Sequence, residues 1–383
     1  MIDLRDDMEK KRRFVDMWRV IHLPTNTASV PNNAVNALTR HGFEASGLIL
    51  GCDVHPYLES ESLVVIPWLR VGKREIELVL NAPTRLFYLL FVARHFQIFH
   101  YHTSALLPSG LERFLMRFTG KRAVVQFHGT DIRIPEIEFL TNIYYKTAFL
   151  RGEYAFKKYE NYKTSRALQN KRSKLSRVAI VAPELVRYID RNLFLKVYIV
   201  FHPIDVNRIV PSYPDPYEQV PMIVHAPSNP GTKGTAYVER ALRVLKEKLG
   251  LRFEYRVITG LPHDQAMDVM RRADIYLDQF VLGHYAVASI EAMALGKPVV
   301  CHIDPSVRAS YPADLPVVIA NPDNLAQKIA ELLKDGSRRR EVGMRSREYA
   351  ERVHSYEAYA SHLEKIYSEI MELPESYFWG RRY

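Results

Sequence analysis

"DIYLDQFVLGHYAVASIEAMALGKPVV", residues 274–300, reads as strand, loop, helix and strand in succession. "DIYLDQF" is a short apolar run, the helix from about Tyr285 has a wide apolar face, and Gly296 with Pro298 stops it before "KPVVCHI" (297–303). A helix that carries the chain to a second buried strand makes a βαβ unit and predicts a parallel sheet. One residue breaks the apolar pattern: Glu291, a carboxylate among Ala, Ile, Met and Leu. A buried carboxylate needs a partner. Glu291 is therefore either an anchor bonded to amides or a cation, or a ligand contact that accepts two hydroxyl hydrogen bonds from a sugar or ribose diol.

The same alternation runs outward in both directions. "WRVIHLP" (18–24), "SLVVIPWL" (62–69), "FQIFHYHT" (96–103), "RAVVQFHG" (122–129), "RVAIVAP" (177–183) and "KVYIVFHP" (196–203) read as strands. "NNAVNALTRHG" (32–42), "PTRLFYLLFVARH" (83–95) and "LERFLMRFTG" (111–120) read as helices between them. "PIDVNRIVPSYPDPYEQVP" (203–221), with five prolines, breaks the pattern and reads as a linker. Strands "MIVHAPS" (222–228) and "FEYRVITG" (253–260) and helices at 234–250 and 262–273 then restart it, and 321–373 is almost wholly helical. These patterns predict an N-terminal domain over 1–203, a linker over 204–221, a second α/β domain over 222–355 and a C-terminal helical segment over 356–383. Ligands of doubly wound sheets sit at the carboxyl ends of strands near helix N-termini, and two such domains facing each other leave a cleft.

The chain has 383 residues, enough for two domains, with 25% charged and 47% hydrophobic residues, a globular composition. Two cysteines far apart, Cys52 and Cys301, make neither a disulfide framework nor a metal-ligand spacing, which suits a reducing compartment. "MIDLRDDMEKKRRF" lacks the apolar core of a secretory signal, and the longest apolar run, "LFYLLFVA" (86–93), is too short to span a bilayer. The expectation is a cytoplasmic protein, peripheral at most to the membrane inner face. The net charge of +10 favours an anionic partner, and residues 146–177 hold ten Lys or Arg against Glu153 and Glu160. That stretch is either a solvated helical face or a surface for acidic lipid headgroups; nucleic acid is not expected, because no nucleic-acid motif accompanies it.

Three strand ends concentrate chemistry. In "HAPSNPGTKGTAYVERAL" (225–242), Lys233 stands at a helix start, against the helix dipole, where it makes sense pointing at a phosphate or as an exposed turn residue. Gly283 lets the backbone approach a ligand, ahead of helix amides that favour an anion. "VVQFHGTDIR" (124–133) gathers His128, Gly129, Asp131 and Arg133, while "FHYHTSALLPSG" (99–110) places His100 and His102 on one face of a neighbouring strand, where both could pack. His-x-His alone is a poor zinc site, so no metal is expected.

"TKGTAYVERAL" and "SIEAMALGKPVV" resemble the GT-B glycosyltransferases, in particular the retaining group 1, family 4 enzymes, most closely over 222–303. The resemblance implies two Rossmann-like domains facing a cleft, with the last helix crossing back to the first domain and the site assembled by closure over the linker. It implies transfer of a sugar, with retention and without metal, from a nucleotide-diphospho-sugar to a glycan or lipid-linked acceptor, and no cofactor beyond that donor. Ser228, Asn229, Lys233, Gly234, Gly283, His284, Tyr285 and Glu291 would line the donor site. Lys233 would neutralise the leaving diphosphate, Glu291 would hold the ribose, His128 would orient the donor sugar, and Asp131 would accept a proton. Arg133, His102 and Asn32 would face the acceptor. The family carries a carboxylate where this chain has Gly283, an Arg where it has Ser228, and a Gly-rich loop where it has "PTNTASVPNN" (24–33). His225, Asn229 or His284 could compensate for the Arg. These departures leave a second reading open, a catalytically inactive GT-B-like scaffold that partners an active enzyme. A GT-B epimerase would lack the "EAMA-GKPVV" string, and a dinucleotide oxidoreductase would need a G-x-G-x-x-G that no strand precedes.

Overall fold

A computed structural model describes residues 18–51, 63–107 and 109–379. Contacts divide the chain into two compact units. Unit 1 holds residues up to Arg133, Lys163–Pro203 and those from Tyr356 onward; unit 2 holds Ile134–Tyr162 and Ile204–Ser355. Cys52 and the N-terminal stretch 1–17 lie outside the described residues, and Cys301 is a buried free thiol.

Unit 1 is built on seven parallel strands: β1 (Arg19–Leu23), β2 (Glu44–Leu50), β3 (Leu63–Ile66), β4 (Ile98–His102), β5 (Arg122–Gln126), β6 (Val178–Val181) and β7 (Lys196–Ile199). Their order is β3-β2-β1-β4-β5-β6-β7, the doubly wound pattern in which the chain reverses direction between β1 and β4. Side chains alternate across the sheet, so His22, paired with His100, and His102, paired with Gln126, share one face. The helix Tyr356–Glu372 covers that face beside Val30–Arg40; Tyr367 reaches His100 from it. Tyr101 points the other way and donates to Glu112 of the helix Ser109–Phe118 at 2.9 Å.

Unit 2 holds five parallel strands, β8 (Met222–His225), β9 (Glu254–Val257), β10 (Ile275–Leu277), β11 (Val299–Cys301) and β12 (Val318–Ile319), in the order β12-β11-β10-β8-β9. Its reversal lies between β8 and β10. Ile223, Leu277 and Val300 from the sheet pack with Val238, Leu242 and Leu245 of the helix Thr235–Glu247 into a buried core. Two segments read differently from sequence join this unit. Residues 134–162 form the helices Pro135–Thr141 and Ile143–Arg151, and Tyr145 and Tyr154 pack there with Val281 and Leu282. The proline-rich stretch 204–221 lies bound along the unit: Ser212 donates to the Leu295 carbonyl at 2.8 Å, and Arg347 donates to the Ile209 carbonyl at 2.7 Å. Prolines suit this extended course, because such a chain takes its hydrogen bonds from the surface beneath it. The basic stretch 146–177 is consequently divided, its first half in unit 2 and its second in unit 1.

Candidate functional site

The loops after β8 and β10 flank the reversal of the unit 2 sheet, where ligands of such sheets bind. After β8, the Asn229 side chain accepts from the Thr232 amide at 2.9 Å and caps the single turn Pro230–Lys233. Gly234 follows at φ +77, a left-handed conformation that ends this turn and starts the next helix; a Cβ there would also crowd Phe280 at 3.3 Å. Gly231 is equally constrained, since a Cβ would lie 2.0 Å from the Glu153 carbonyl. Lys233 is thereby held inward, and its ammonium lies 2.7 Å from Asp278, the residue after β10. Both are buried.

Asp278 was not singled out from sequence. Its second oxygen accepts from the Ala286 amide and the Ser289 hydroxyl, each at 2.7 Å, so one carboxylate ties the Lys233 loop to the start of the helix Val287–Ala294. Burial raises its pKa, but Lys233 and these hydrogen bonds outweigh that and hold it below the usual carboxylate value. An ammonium has three N–H donors, so Lys233 keeps donors beyond the one given to Asp278. The signal that could have found Asp278 was a carboxylate at the end of an otherwise apolar strand.

Glu291 is not a bare carboxylate. It lies on the partly exposed side of its helix and pairs with His263 at 2.7 Å. The hydrogen bond that His263 donates to Glu291 raises the pKa of His263. Gly283 lies against Asp304: a Cβ at 283 would stand 2.4 Å from the Asp304 Cβ, and the Asp304 amide donates to the Gly283 carbonyl at 3.0 Å. The carboxylate expected at 283 is thus absent in sequence, but a carboxylate from the end of β11 borders the same place. The residues suggested to replace the missing Arg are otherwise engaged. His225 is buried, bonded to the Leu277 carbonyl at 2.9 Å and Thr235 at 3.0 Å, and burial lowers its pKa; His284 contacts the Tyr285 carbonyl at 3.1 Å, and Asn229 is the cap. Tyr285 is buried with its hydroxyl 3.0 Å from His354.

In unit 1 the strand ends at the reversal carry a chain of imidazoles. His22 Nδ1 meets His102 Nε2 at 2.9 Å, and His102 Nδ1 meets His128 Nε2 at 2.9 Å. His100 spans Gln126 Oε1 at 2.8 Å and the Tyr367 hydroxyl at 2.7 Å, and that hydroxyl lies 3.4 Å from His22 Nε2. Burial lowers every pKa here, well below the usual value for His22 and His102, to about 3 for His100 and to about 4 for His128. Neutral rings carry one proton each, so one assignment propagates along the chain. With Gln126 Oε1 accepting, His100 Nδ1 accepts from Tyr367, His22 Nε2 donates to Tyr367, His102 Nε2 donates to His22, and His128 Nε2 donates to His102. His128 Nδ1 is left as a lone pair, and it has no hydrogen-bond partner among the described residues.

The ligand atoms of His22, His100 and His102 lie within 4.8 Å of one another, but all six nitrogens of these rings are already taken up by the chain. Asp131 is engaged within its own turn. Its carboxylate receives Thr103 Oγ1 at 2.6 Å and the amides of His128 and Gly129 at 3.0 and 2.8 Å, which makes it the former of the turn that holds His128. Arg133 and His102 are buried and Asn32 is half-buried at the start of its helix, so the first two present no open face to an acceptor. Ser29 and Thr103, in the loops after β1 and β4, hold left-handed backbone at φ 57 and 56, strain that gathers at this reversal.

Residues 235–349 match the family model "Glycosyl transferases group 1"; the match begins two residues after Lys233 and includes Gly283 and Glu291. No curated protein matches the chain in sequence. Among solved structures, a sucrose-phosphate synthase from Thermosynechococcus elongatus is similar with a TM-score of 0.60 at 14% identity, covering 92% of this chain and 99% of that one. HepE from Anabaena, solved in complex with UDP, gives 0.59 at 11% identity, covering 92% and 100%. A glycosyltransferase from Rickettsia africae gives 0.59 at 15% identity, covering 93% and 99%. The chain has the GT-B fold of glycosyltransferases, and its residues 235–349 carry the sequence pattern of glycosyl transferases group 1.

Proposed function

We propose that this protein transfers a sugar from a nucleotide-diphospho-sugar to an acceptor hydroxyl with retention at the anomeric carbon. The observation that carries this reading is the pair of loops at the unit 2 reversal, joined through Lys233 and Asp278, within and beside the group 1 match. The similar HepE structures hold UDP and UDP-glucose, which supports a nucleotide sugar as donor. In the reaction the bond from the anomeric carbon to the diphosphate oxygen breaks and the acceptor oxygen bonds to the same face. The acceptor proton leaves with the diphosphate. Lys233 and the amides opening the helix Val287–Ala294 meet the charge that grows on the leaving group. Glu291 accepts from the ribose hydroxyls once it exchanges His263 for them. His128 Nδ1 accepts from a substrate hydroxyl, its lone pair fixed by the imidazole chain. Asp304 stands in for the carboxylate missing at Gly283.

A lipid-linked acceptor is favoured over a soluble glycan by a cavity of 890 Å³ in unit 1. Trp68, Leu78 and Leu107 give it apolar walls, and Arg70, Lys171 and Arg172 line it with positive charge, a combination suited to an anionic headgroup with a hydrocarbon chain. The scaffold reading retains one specific support, the internal pairing of Lys233. A thermal-shift screen with nucleotides and nucleotide sugars, followed by nucleoside diphosphate release, decides between the readings. Lys233→Ala should lower release by roughly 100-fold. Nucleotide binding without release over a broad donor screen favours the scaffold. Equal release by wild type and variant sinks the site assignment.

A further inference from the structure

The helices Ala82–His95 and Ser109–Phe118 of unit 1 are apolar on their outer sides as well as on the sides that pack. The chain steps from β1 to β3 in one direction and from β3 to β5 in the other. Right-handed crossovers therefore place these two helices together on the face opposite Val30–Arg40. The bonds of Tyr101 to Glu112 and of His100 to Tyr367, from opposite sides of β4, agree. The packed side of Ala82–His95 holds Leu89, Val92 and Ala93 together with Arg85, which donates to the Leu106 carbonyl at 2.6 Å. The packed side of Ser109–Phe118 holds Met116 and Glu112. The outer sides are apolar: Leu86, Phe87, Leu90 and Phe91, at helical spacing, are 40 to 66% exposed, and Phe114 and Phe118 are 68 and 82% exposed. Ile76 and Val79, on the preceding helix Arg74–Leu80, are exposed as well. A solvated helix should carry polar residues outside, and a continuous outward apolar stripe marks a surface that is covered in use.

What covers it is indicated by charge. Between Leu63 and Lys121 the sequence holds eight Lys or Arg and three Glu. Glu112 is buried, and Glu77 is taken up by Trp68 and the amides of Val71 and Gly72, which leaves Glu75. Arg70, Lys73, Arg94 and Arg117 are exposed around the apolar stripe. A second copy of the chain would set this cationic rim against itself. An anionic bilayer surface offers hydrocarbon to the phenylalanines and headgroup charge to the rim, the two components that interfacial helices combine.

We propose that this face of unit 1 docks on the surface of an anionic phospholipid bilayer, with Leu86, Phe87, Leu90, Phe91, Phe114 and Phe118 entering the interface. The contact is formed by helices 82–95 and 109–118 and does not use the basic stretch 146–177. It holds whether or not the protein transfers sugars. The test is co-sedimentation of the full chain with vesicles of phosphatidylcholine alone and of phosphatidylcholine mixed with phosphatidylglycerol, at low and high salt. Binding should favour the anionic vesicles and weaken with salt. Phe87→Glu with Phe91→Glu should lower the partition coefficient by roughly tenfold or more. Arg94→Gln with Arg117→Gln should remove much of the salt dependence, and Lys157→Ala with Lys158→Ala should change nothing. Because the altered side chains are exposed, an unchanged thermal melt confirms that the variants fold. Partition unaffected by the phenylalanine changes overturns the proposal. So does a wild-type dimer in sedimentation that those changes convert to monomer while no vesicle binding is seen.

Discussion

The two sheets reverse at equivalent places and use opposite chemistry there. At the unit 1 reversal the buried chain is neutral: imidazoles linked to one another, anchored by Gln126 and Tyr367. At the unit 2 reversal the buried pair is charged: Lys233 against Asp278, with no water-exposed partner between them. A neutral chain fixes donor and acceptor direction at its end, here at His128. A buried ion pair fixes position and keeps a cation beside a place where anionic charge can develop. The two should therefore fail under different insults, acid for unit 1 and removal of one partner for unit 2.

Acid is the larger effect. His22, His100, His102, His128 and His202 have folded pKa values depressed by burial, to about 3 for His100 and about 4 for His128 and His202. The unfolded chain takes up protons below its ordinary value of about 6.5 while the folded rings refuse them, so stability is lost as pH falls from 6.5 toward those values. Each ring should cost about 1–2 kcal/mol by pH 5. Urea midpoints at pH 7 and pH 5 measure the loss, and the ring resonances of these five histidines should stay flat over that interval. Titration of any of these five rings near the ordinary value would break the comparison.

Lys233→Ala comes next. It leaves Asp278 buried without its cation, which should destabilise unit 2 by about 3–5 kcal/mol. Adding Asp278→Asn removes the stranded charge while keeping an acceptor for Ala286 and Ser289, and should recover part of the loss in a denaturation midpoint. An unmoved midpoint in the single variant would show that the pair does not tie the loops together.

Much of the fold could be read from alternation alone, because each buried parallel strand is a short apolar run followed by a helix. "EASGLIL" (44–50) escaped that reading, since its glycine and polar start hide a strand; the Leu63 side chain packs into the space beside Gly47. The segment 134–162 also escaped, because nothing local tells a helix which unit it will pack against. The site was legible in its motifs and not in its pairings. Lys233, Gly283 and Glu291 stand out by type and position, whereas their partners Asp278, Asp304 and His263 come from strand ends and a helix start up to 45 residues away. His100 and His102 showed their shared face but not the neighbours at His22, Gln126 and Tyr367 that complete the chain.

Gly283→Ala tests whether the missing carboxylate is a vacancy or a place already filled. The added methyl would meet Asp304 Cβ at 2.4 Å, with the Asp304 backbone at 3.1 Å behind it. Nothing flexible can give way, so a loss of about 1–3 kcal/mol in the urea midpoint is expected, as for other overpacked positions. A neutral outcome would mean that the loop 281–285 relaxes freely and that Asp304 does not border the site. Nucleotide affinity should fall with stability in this variant if Asp304 takes part in binding.

The smallest effect sharpens the contrast most, because unit 2 contains a histidine that behaves opposite to those of unit 1. His263 has its pKa raised by the hydrogen bond and charge of Glu291, with Asp264 adding to it. Its contribution to stability is complete below the ordinary value of about 6.5 and is lost as pH rises through the raised folded value. If Glu291 must release His263 to receive a ribose, nucleotide binding competes with a protonated imidazole at low pH and with a neutral one at high pH. Affinity for a nucleoside diphosphate should then rise a few-fold, roughly 2- to 5-fold, across that titration. In His263→Ala the rise should vanish and the affinity should equal or exceed the high-pH value of the wild type, because Glu291 has nothing to exchange. Calorimetric titrations of both proteins between pH 6 and 8.5 measure this. A pH slope that persists in the variant would place the titrating group elsewhere, and a His263→Ala affinity below the wild type at every pH would make His263 a ligand contact rather than a competitor.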